Sequence, residues 1–383
     1  FYTPENENFY SQFSYMNLDP AGQEIRLLEE GPAQDDDEEM VLECTLHDQI
    51  SLSSAGGTYC AISYCAGSLR EVAPILVDRI RFNAFASLEH AIRCVLRQWS
   101  AKYPGRKLLI WADQICINQK NNEERTAQVG LMREIYRRSD ETYVCLSNPS
   151  MKDCLRWIPS LPVEEINMRS TPNEHGGHPA VIKLQKSLRE RILAIGEGEQ
   201  ALWRWLQSVQ SFVNSPWWCR SWVYQEFIFS PRPFFLSGPD CVYSTALVPL
   251  VNFICEEIHP FLNAMLRDAV ELRRMDTKAV TSILRSKEVL VKPADLQDVL
   301  QHSRNCHASD PRDRIYAFVG LAHREYGIVP DYDRRNTVCH ALILAAQHII
   351  RYEKGLSVLR YVHRGREKLG SMLPTWVPDW TSK

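Results

Sequence analysis

The sequence predicts an α/β protein, a parallel sheet flanked by helices and followed by a mainly helical C-terminal region. Three observations lead there. Apolar runs of strand length occur at 58–64, 108–112 and 142–146. Helical periodicities fill the gaps, over 88–100 and 123–138, giving the strand-helix-strand alternation of crossover units. Beyond residue 246 apolar residues recur at helical spacing, over 246–275, 278–290, 293–303 and 336–351.

A chain of 383 residues leads to an expectation of two or three domains. The divisions read are 1–57, an N-terminal arm with short strands; 58–238, the α/β domain, interrupted by an insertion at 149–200; and 239–383, the helical region. The apolar fraction of 45% and charged fraction of 24% are ordinary globular values, so a core forms without staples. A net charge of −3 makes no electrostatic case for nucleic acid. No apolar run reaches the ~18 residues of a membrane span, and no signal peptide is evident. The 12 cysteines show no C-x-x-C pair, and many lie in apolar runs. They read as buried, reduced thiols of a cytoplasmic protein.

Taken in order, residues 1–22 form an aromatic-rich arm, and 24–28 and 40–46 form short strands. The intervening GPAQDDDEE is a solvated loop. The strand at 58–64 opens into Cys65-Ala66-Gly67, where glycine lets backbone approach a ligand. The strand at 108–112 ends at Asp113, a carboxylate placed in a loop. Asn121 or Asn122 caps the next helix, with Glu123 and Glu124 in its first turn. Prolines and a Gly176-Gly177 pair mark 149–200 as an excursion. Ser215-Pro216 starts a helix that carries Arg220, Tyr224 and Glu226 within three turns. Asp310 caps another helix with Pro311 at its first position.

The residues suited to chemistry converge on a few stretches. Glu226 follows Trp217, Trp218 and Trp222, and aromatic surroundings raise a carboxylate's pKa while offering rings to stack on. Arg220 is a fork-shaped donor for phosphate or carboxylate. The alternative is a buried Glu–Arg pair that fixes a helix. Asp113 is a second carboxylate, and two carboxylates can flank a glycosidic bond; the alternative is a local cap of its loop. Glu124 and Arg125 read as a helix-start carboxylate and a surface pair. Arg312 and Asp313 read as an ion pair joining the halves of the chain. His302, Cys306 and His307 lack an evident fourth ligand, so no metal is assigned. Phosphate loops, dinucleotide fingerprints, nucleophile elbows and zincin motifs are absent.

WADQICINQ, followed by Glu124, Arg125, Gln128, Val129, Met132, Ile135 and Tyr136, resembles the signature of the fungal heterokaryon-incompatibility (HET) domain. TYCAISYCAG resembles that family's Tyr-x-Ala-Leu-Ser-Tyr-x-Trp-Gly block, with Ala66 where the family usually has Trp. WWCRSWVYQE resembles its Trp-x-x-Arg-x-Trp-x-x-Gln-Glu block. DPRDRIYAFVGLA, IVPDY and LPTWVPDW resemble its downstream segments.

The resemblance implies a TIR-like, flavodoxin-like fold and a role in non-self recognition and programmed cell death, a form of innate immunity in fungi. Some TIR domains cleave NAD at the nicotinamide bond with a glutamate. In plant-type TIR domains it follows a Trp-Cys pair, as Glu226 follows Trp218-Cys219 here at a longer spacing. The implied activity is NAD glycohydrolysis. Glu226 is the candidate catalytic residue, with Ser63, Tyr64, Gly67, Asp113 and Arg220 lining the nucleotide pocket. NAD enters as substrate rather than cofactor, and the partners implied are a second copy of the chain or an incompatibility protein. The alternative is a non-enzymatic, self-associating signalling module or nucleotide sensor. Ala66 leaves one side of the pocket more open than in relatives.

Overall fold

The computed structural model describes residues 4–31, 41–68, 70–146, 155, 207–245, 247, 277–290, 292–362 and 372–381. Most of the 149–200 insertion and of the helix expected at 246–275 lie outside them.

The arm carries a short helix, α1 (Glu7–Gln12), whose Phe9 is buried edge-on against Phe82. Strands β1 (Glu24–Glu30) and β2 (Leu42–Ser51) pair antiparallel. A one-turn helix, α2 (Leu52–Ala55), leads into β3 (Cys60–Tyr64), buried along its whole length as an interior parallel strand should be. Next come β4 (Val72–Val77), β5 (Ile80–Phe85) and α3 (Ala86–Lys102). Strand β6 (Leu109–Trp111) runs into a one-turn helix, α4 (Asp113–Cys116), and then α5 (Asn122–Arg138). Strand β7 (Glu141–Cys145) follows.

Among the described residues the sheet has nine strands, ordered β5-β4-β2-β1-β6-β3-β7-β8-β9, where β8 is Pro233–Ser237 and β9 is Asp240–Tyr243. Four neighbours, β6, β3, β7 and β8, are mutually parallel. The expectation of a parallel sheet therefore holds at the centre and at the β2-β4 pair, and fails at the other pairings. Strand β1 joins β6 antiparallel, and the hairpins β4-β5 and β8-β9 finish the edges. The β4-β5 hairpin escaped the sequence reading because of its turn. Asp78 and Arg79 both take positive φ (49° and 66°), a conformation normally signalled by Asn-Gly or Asp-Gly.

At the helix starts one expected cap is present and two readings are corrected. Asn121 is the cap of α5, its side chain accepting from the amides of Glu123 (3.0 Å) and Glu124 (3.1 Å). Glu124 is not half of a surface pair. It turns inward onto Arg26, which also binds Asp48 and is 0% exposed on its side chain. Asp113 opens α4 rather than sitting in a loop.

The stretch after Ser215 is not one helix. A 3-10 turn at Pro216–Cys219 gives way to extended backbone at Arg220 before α6 (Val223–Ile228) begins. The break has a cause. Cys219 and Ser221 pair through their backbones with His307, in the C-terminal region, as strand neighbours do.

The C-terminal region contributes α7 (Thr277–Val289), α8 (Leu296–Ser303), α9 (Asp313–Val319) and α10 (Val338–Glu353). Asp310 accepts from the Arg312 amide in the turn before α9, which starts two residues later than the cap reading expected. Arg312 and Asp313 do not pair with each other: Arg312 binds Asp310, and Asp313 accepts from Tyr332.

These helices share one apolar core with the 217–228 segment. Trp217, Trp218, Val223 and Phe227 belong to the cluster that also holds Ile315, Phe318 and Leu342. Lys287 of α7 donates to the carbonyls of Phe227 (2.7 Å), Ile228 (3.3 Å) and Ser230 (2.8 Å), satisfying the C-terminal end of α6. No helix among the described residues is long and apolar enough to cross a membrane.

Candidate functional site

A parallel strand delivers its carboxyl end to one edge of the sheet, and ligands of open α/β sheets bind outside that edge. Here the ends of β3 and β6 place Cys65–Gly67 and Asp113 there. Gly67 has φ +71° and open space where a side chain would stand. Above these ends lies a cleft of ≈ 530 Å³. Asp113, Gly67, Ala66 and Gln119 line it from the sheet side, Arg125, Val129 and Met132 from α5, and Arg220 and Trp222 from the segment before α6. His307, Asp310, Asp313 and Tyr332 of the C-terminal region close it. A second hollow of ≈ 470 Å³ lies on the other side of the 65–67 turn, reaching Cys145 and Trp217.

Glu226 is buried beneath the first cleft and is not part of its lining. It is 2% exposed, and its neighbours come from distant parts of the chain. Ser63 donates its hydroxyl hydrogen to Glu226 Oε2 and accepts from Trp217 Nε1 at 2.8 Å. Arg220 reaches the same carboxylate from the cleft side, at 3.2 and 3.3 Å. Both contacts are longer than the 2.7–2.9 Å usual for charge-assisted bonds. Burial lifts the Glu226 carboxyl above its ordinary pKa; Arg220 and Ser63 oppose the lift without cancelling it.

Tyr64, also fully buried, donates to Asp113 Oδ1 at 2.9 Å, and the Gln114 amide donates to the same oxygen at 2.7 Å. Burial and the adjacent Asp113 push the phenol far up, so it stays a donor. Asp113 thus ties down the first turn of α4 and forms part of the cleft wall. Gln119 donates to the Asp113 carbonyl at 2.8 Å and leaves its own Oε1 unpartnered, although the residue is 6% exposed.

The six residues singled out in the sequence fall into two sets. Gly67, Asp113 and Arg220 line the cleft, and Ser63, Tyr64 and Glu226 lie under it. Hydrogen bonds join Ser63 to Glu226 to Arg220, and Tyr64 to Asp113. The sequence reading did not place Arg125, Gln119, Asp313 or Tyr332 at the cleft. The charge density of 310–314 and the IVPDY block were visible, but nothing local aligned them with β3. Burial raises the Asp313 carboxyl to about 6 against hydrogen bonds from Tyr332 and Trp222.

Residues 59–226 match the sequence model of the heterokaryon incompatibility protein (HET) family. They form a HET domain. Its first residue abuts β3 and its last is Glu226, so the strand and helix that carry the buried Ser63–Glu226 contact frame the matched segment. The chain is also similar to Heterokaryon incompatibility protein 6, OR allele, of Neurospora crassa, with 26% identity over 431 residues. That alignment covers 98% of this chain, and the chain spans only 60% of the relative's length. The similarity therefore extends past the HET domain into the helical region that closes the cleft. No solved structure matches the chain.

Proposed function

We propose that this HET-domain protein acts in fungal non-self recognition and programmed cell death, as a partner-responsive or self-associating protein whose HET domain hydrolyses NAD to nicotinamide and ADP-ribose. The observation that carries the reading is a buried glutamate held under a cleft at the carboxyl edge of parallel strands, with an arginine between carboxylate and cleft. The strand order β6-β3-β7-β8 reverses direction at β3, which is the order of a flavodoxin-like sheet and supports a TIR-like relationship.

In this mechanism the ligand's phosphate competes with Glu226 for Arg220, which lines the cleft. Glu226, released on one side and still oriented by Ser63, then meets the ribose hydroxyls and stabilises the oxocarbenium-like cation as nicotinamide leaves with the bonding electrons; water adds to the cation's anomeric carbon and loses a proton, completing ADP-ribose. Asp113 and Gly67 shape the ribose side of the pocket, and Tyr64 holds Asp113.

The burial of Glu226 favours a second reading, in which the cleft senses a nucleotide without cleaving it. One assay separates the two. Purified protein is incubated with NAD while nicotinamide and ADP-ribose are followed. Glycohydrolysis requires both products from the wild type and their loss, by at least ~100-fold, in a folded Glu226→Ala variant. Binding without product supports the sensor. Neither binding nor product removes the nucleotide and leaves a signalling module that works by assembly.

A further inference from the structure

The guanidinium carbon of Arg125 lies over the ring of Tyr332, 3.9 Å from its centroid. Its nearest carboxylate oxygen, Oδ2 of Asp310, is 4.0 Å away, too far for a hydrogen bond. Among the described residues no side-chain or carbonyl acceptor takes a hydrogen bond from it, and Arg125 lines the cleft. The other cations around the cleft start out paired, so each must give up a partner to meet a phosphate, as Arg220 does in the mechanism above. Arg220 holds Glu226. Arg312 binds Asp310 and three carbonyls, those of Asp331, Asp333 and Asn336. Glu124, next in sequence, is spent on Arg26.

A stacked guanidinium has lost its rotational freedom before any ligand arrives, and its outer N–H groups form a planar fork that matches two oxygens of a phosphate. Tyr332 is itself fixed, 4% exposed and hydrogen-bonded to Asp313 at 2.6 Å. We propose that Arg125, laid on Tyr332, is the anchor for the phosphate or diphosphate of a nucleotide in this cleft. The helical region thereby sets the affinity of a site whose other wall is the HET domain. This deepens the nucleotide reading above and rests on it.

Titration calorimetry of the full chain tests it with three probes: ADP-ribose, adenosine and inorganic pyrophosphate. In Arg125→Ala, ADP-ribose and pyrophosphate weaken by about 10- to 100-fold, the loss expected for a charge-assisted pair, while adenosine is little changed. The salt dependence of ADP-ribose binding becomes shallower in the same variant. Tyr332→Leu weakens the phosphate-bearing probes in the same way, and Tyr332→Phe, which keeps the ring, restores most of the affinity. Thermal melting confirms that each variant is folded; Arg125→Lys, which keeps the charge without the fork, supplies an intermediate affinity if Arg125→Ala does not fold. Equal binding of ADP-ribose by wild type and by folded Arg125 and Tyr332→Leu variants overturns the assignment and leaves the nucleotide reading standing. A wild type that binds none of the three probes and no NAD overturns both.

Discussion

Ser63 on β3 donates its hydroxyl hydrogen to Glu226, a residue 163 positions later in the chain. The same oxygen accepts from the indole of Trp217, so one small side chain satisfies a buried carboxylate and a buried N–H together. Ser63→Ala leaves both without this partner. It is expected to cost about 1–3 kcal/mol, the penalty for unsatisfied buried polar groups. Urea denaturation measures this, and a midpoint equal to that of the wild type would show that the contact contributes nothing.

Arg220→Leu tests the electrostatics of the same carboxylate. Burial already raises the Glu226 pKa, and losing the guanidinium raises it further. An acid whose folded pKa exceeds its unfolded value binds protons better when folded, so its contribution is greatest at low pH and is lost as pH rises through the folded pKa. The variant should approach wild-type stability near pH 4 and fall behind it toward neutrality, by roughly 3–5 kcal/mol. A pH-independent deficit would mean that Arg220 acts through packing.

Asp313 has its own pH signature. With its carboxyl raised from an ordinary 3.8 to about 6, folding loses stability as pH climbs between those two values. The loss is on the order of 2–3 kcal/mol. Asp313→Asn, which can still accept from Tyr332, should flatten that part of the stability profile. Melting curves taken from pH 4 to 7 read it directly, and a slope that persists in the variant assigns the titration elsewhere.

Gly320 explains why two separate motifs belong together. A methyl group there would stand 2.6 Å from Oε1 of Gln225, and Gln225 cannot swing away because it is buried and donates to the Ala317 carbonyl at 2.9 Å. Gly320→Ala should therefore destabilise by about 1–3 kcal/mol through overpacking. Gly105→Ala, with nothing within 4 Å but φ +77°, carries only backbone strain and serves as the comparison. Equal melting temperatures for the Gly320→Ala variant and wild type would refute the packing account.

What the sequence made legible follows from locality. Strand β3, helix α5 and the Asn121 cap were readable because period, apolar length and capping act within a few residues. The α/β alternation at the sheet's centre followed from them. The antiparallel β1-β6 pairing did not, since it forms only through a contact the chain does not announce. The helix expected through Arg220 failed for a similar reason: its backbone is claimed by His307, far downstream. At the site, residue chemistry drew attention to Glu226, Arg220 and Asp113, and the fold joins the first two through a direct pair. Arg125 was read as a surface residue because its partner, Tyr332, lies in a different region of the chain.

Lys287 gives the limit of the family match a practical meaning. The match stops at Glu226, four residues into the six of α6, and the carbonyls that finish this helix are answered by an ammonium from α7. Where the family match ends, the packing continues. An excised fragment ending at 226 would lose that ammonium, the pairing with His307 and the far wall of the cleft. The HET domain of this chain is a unit of descent that borrows its last turn of helix from its neighbour.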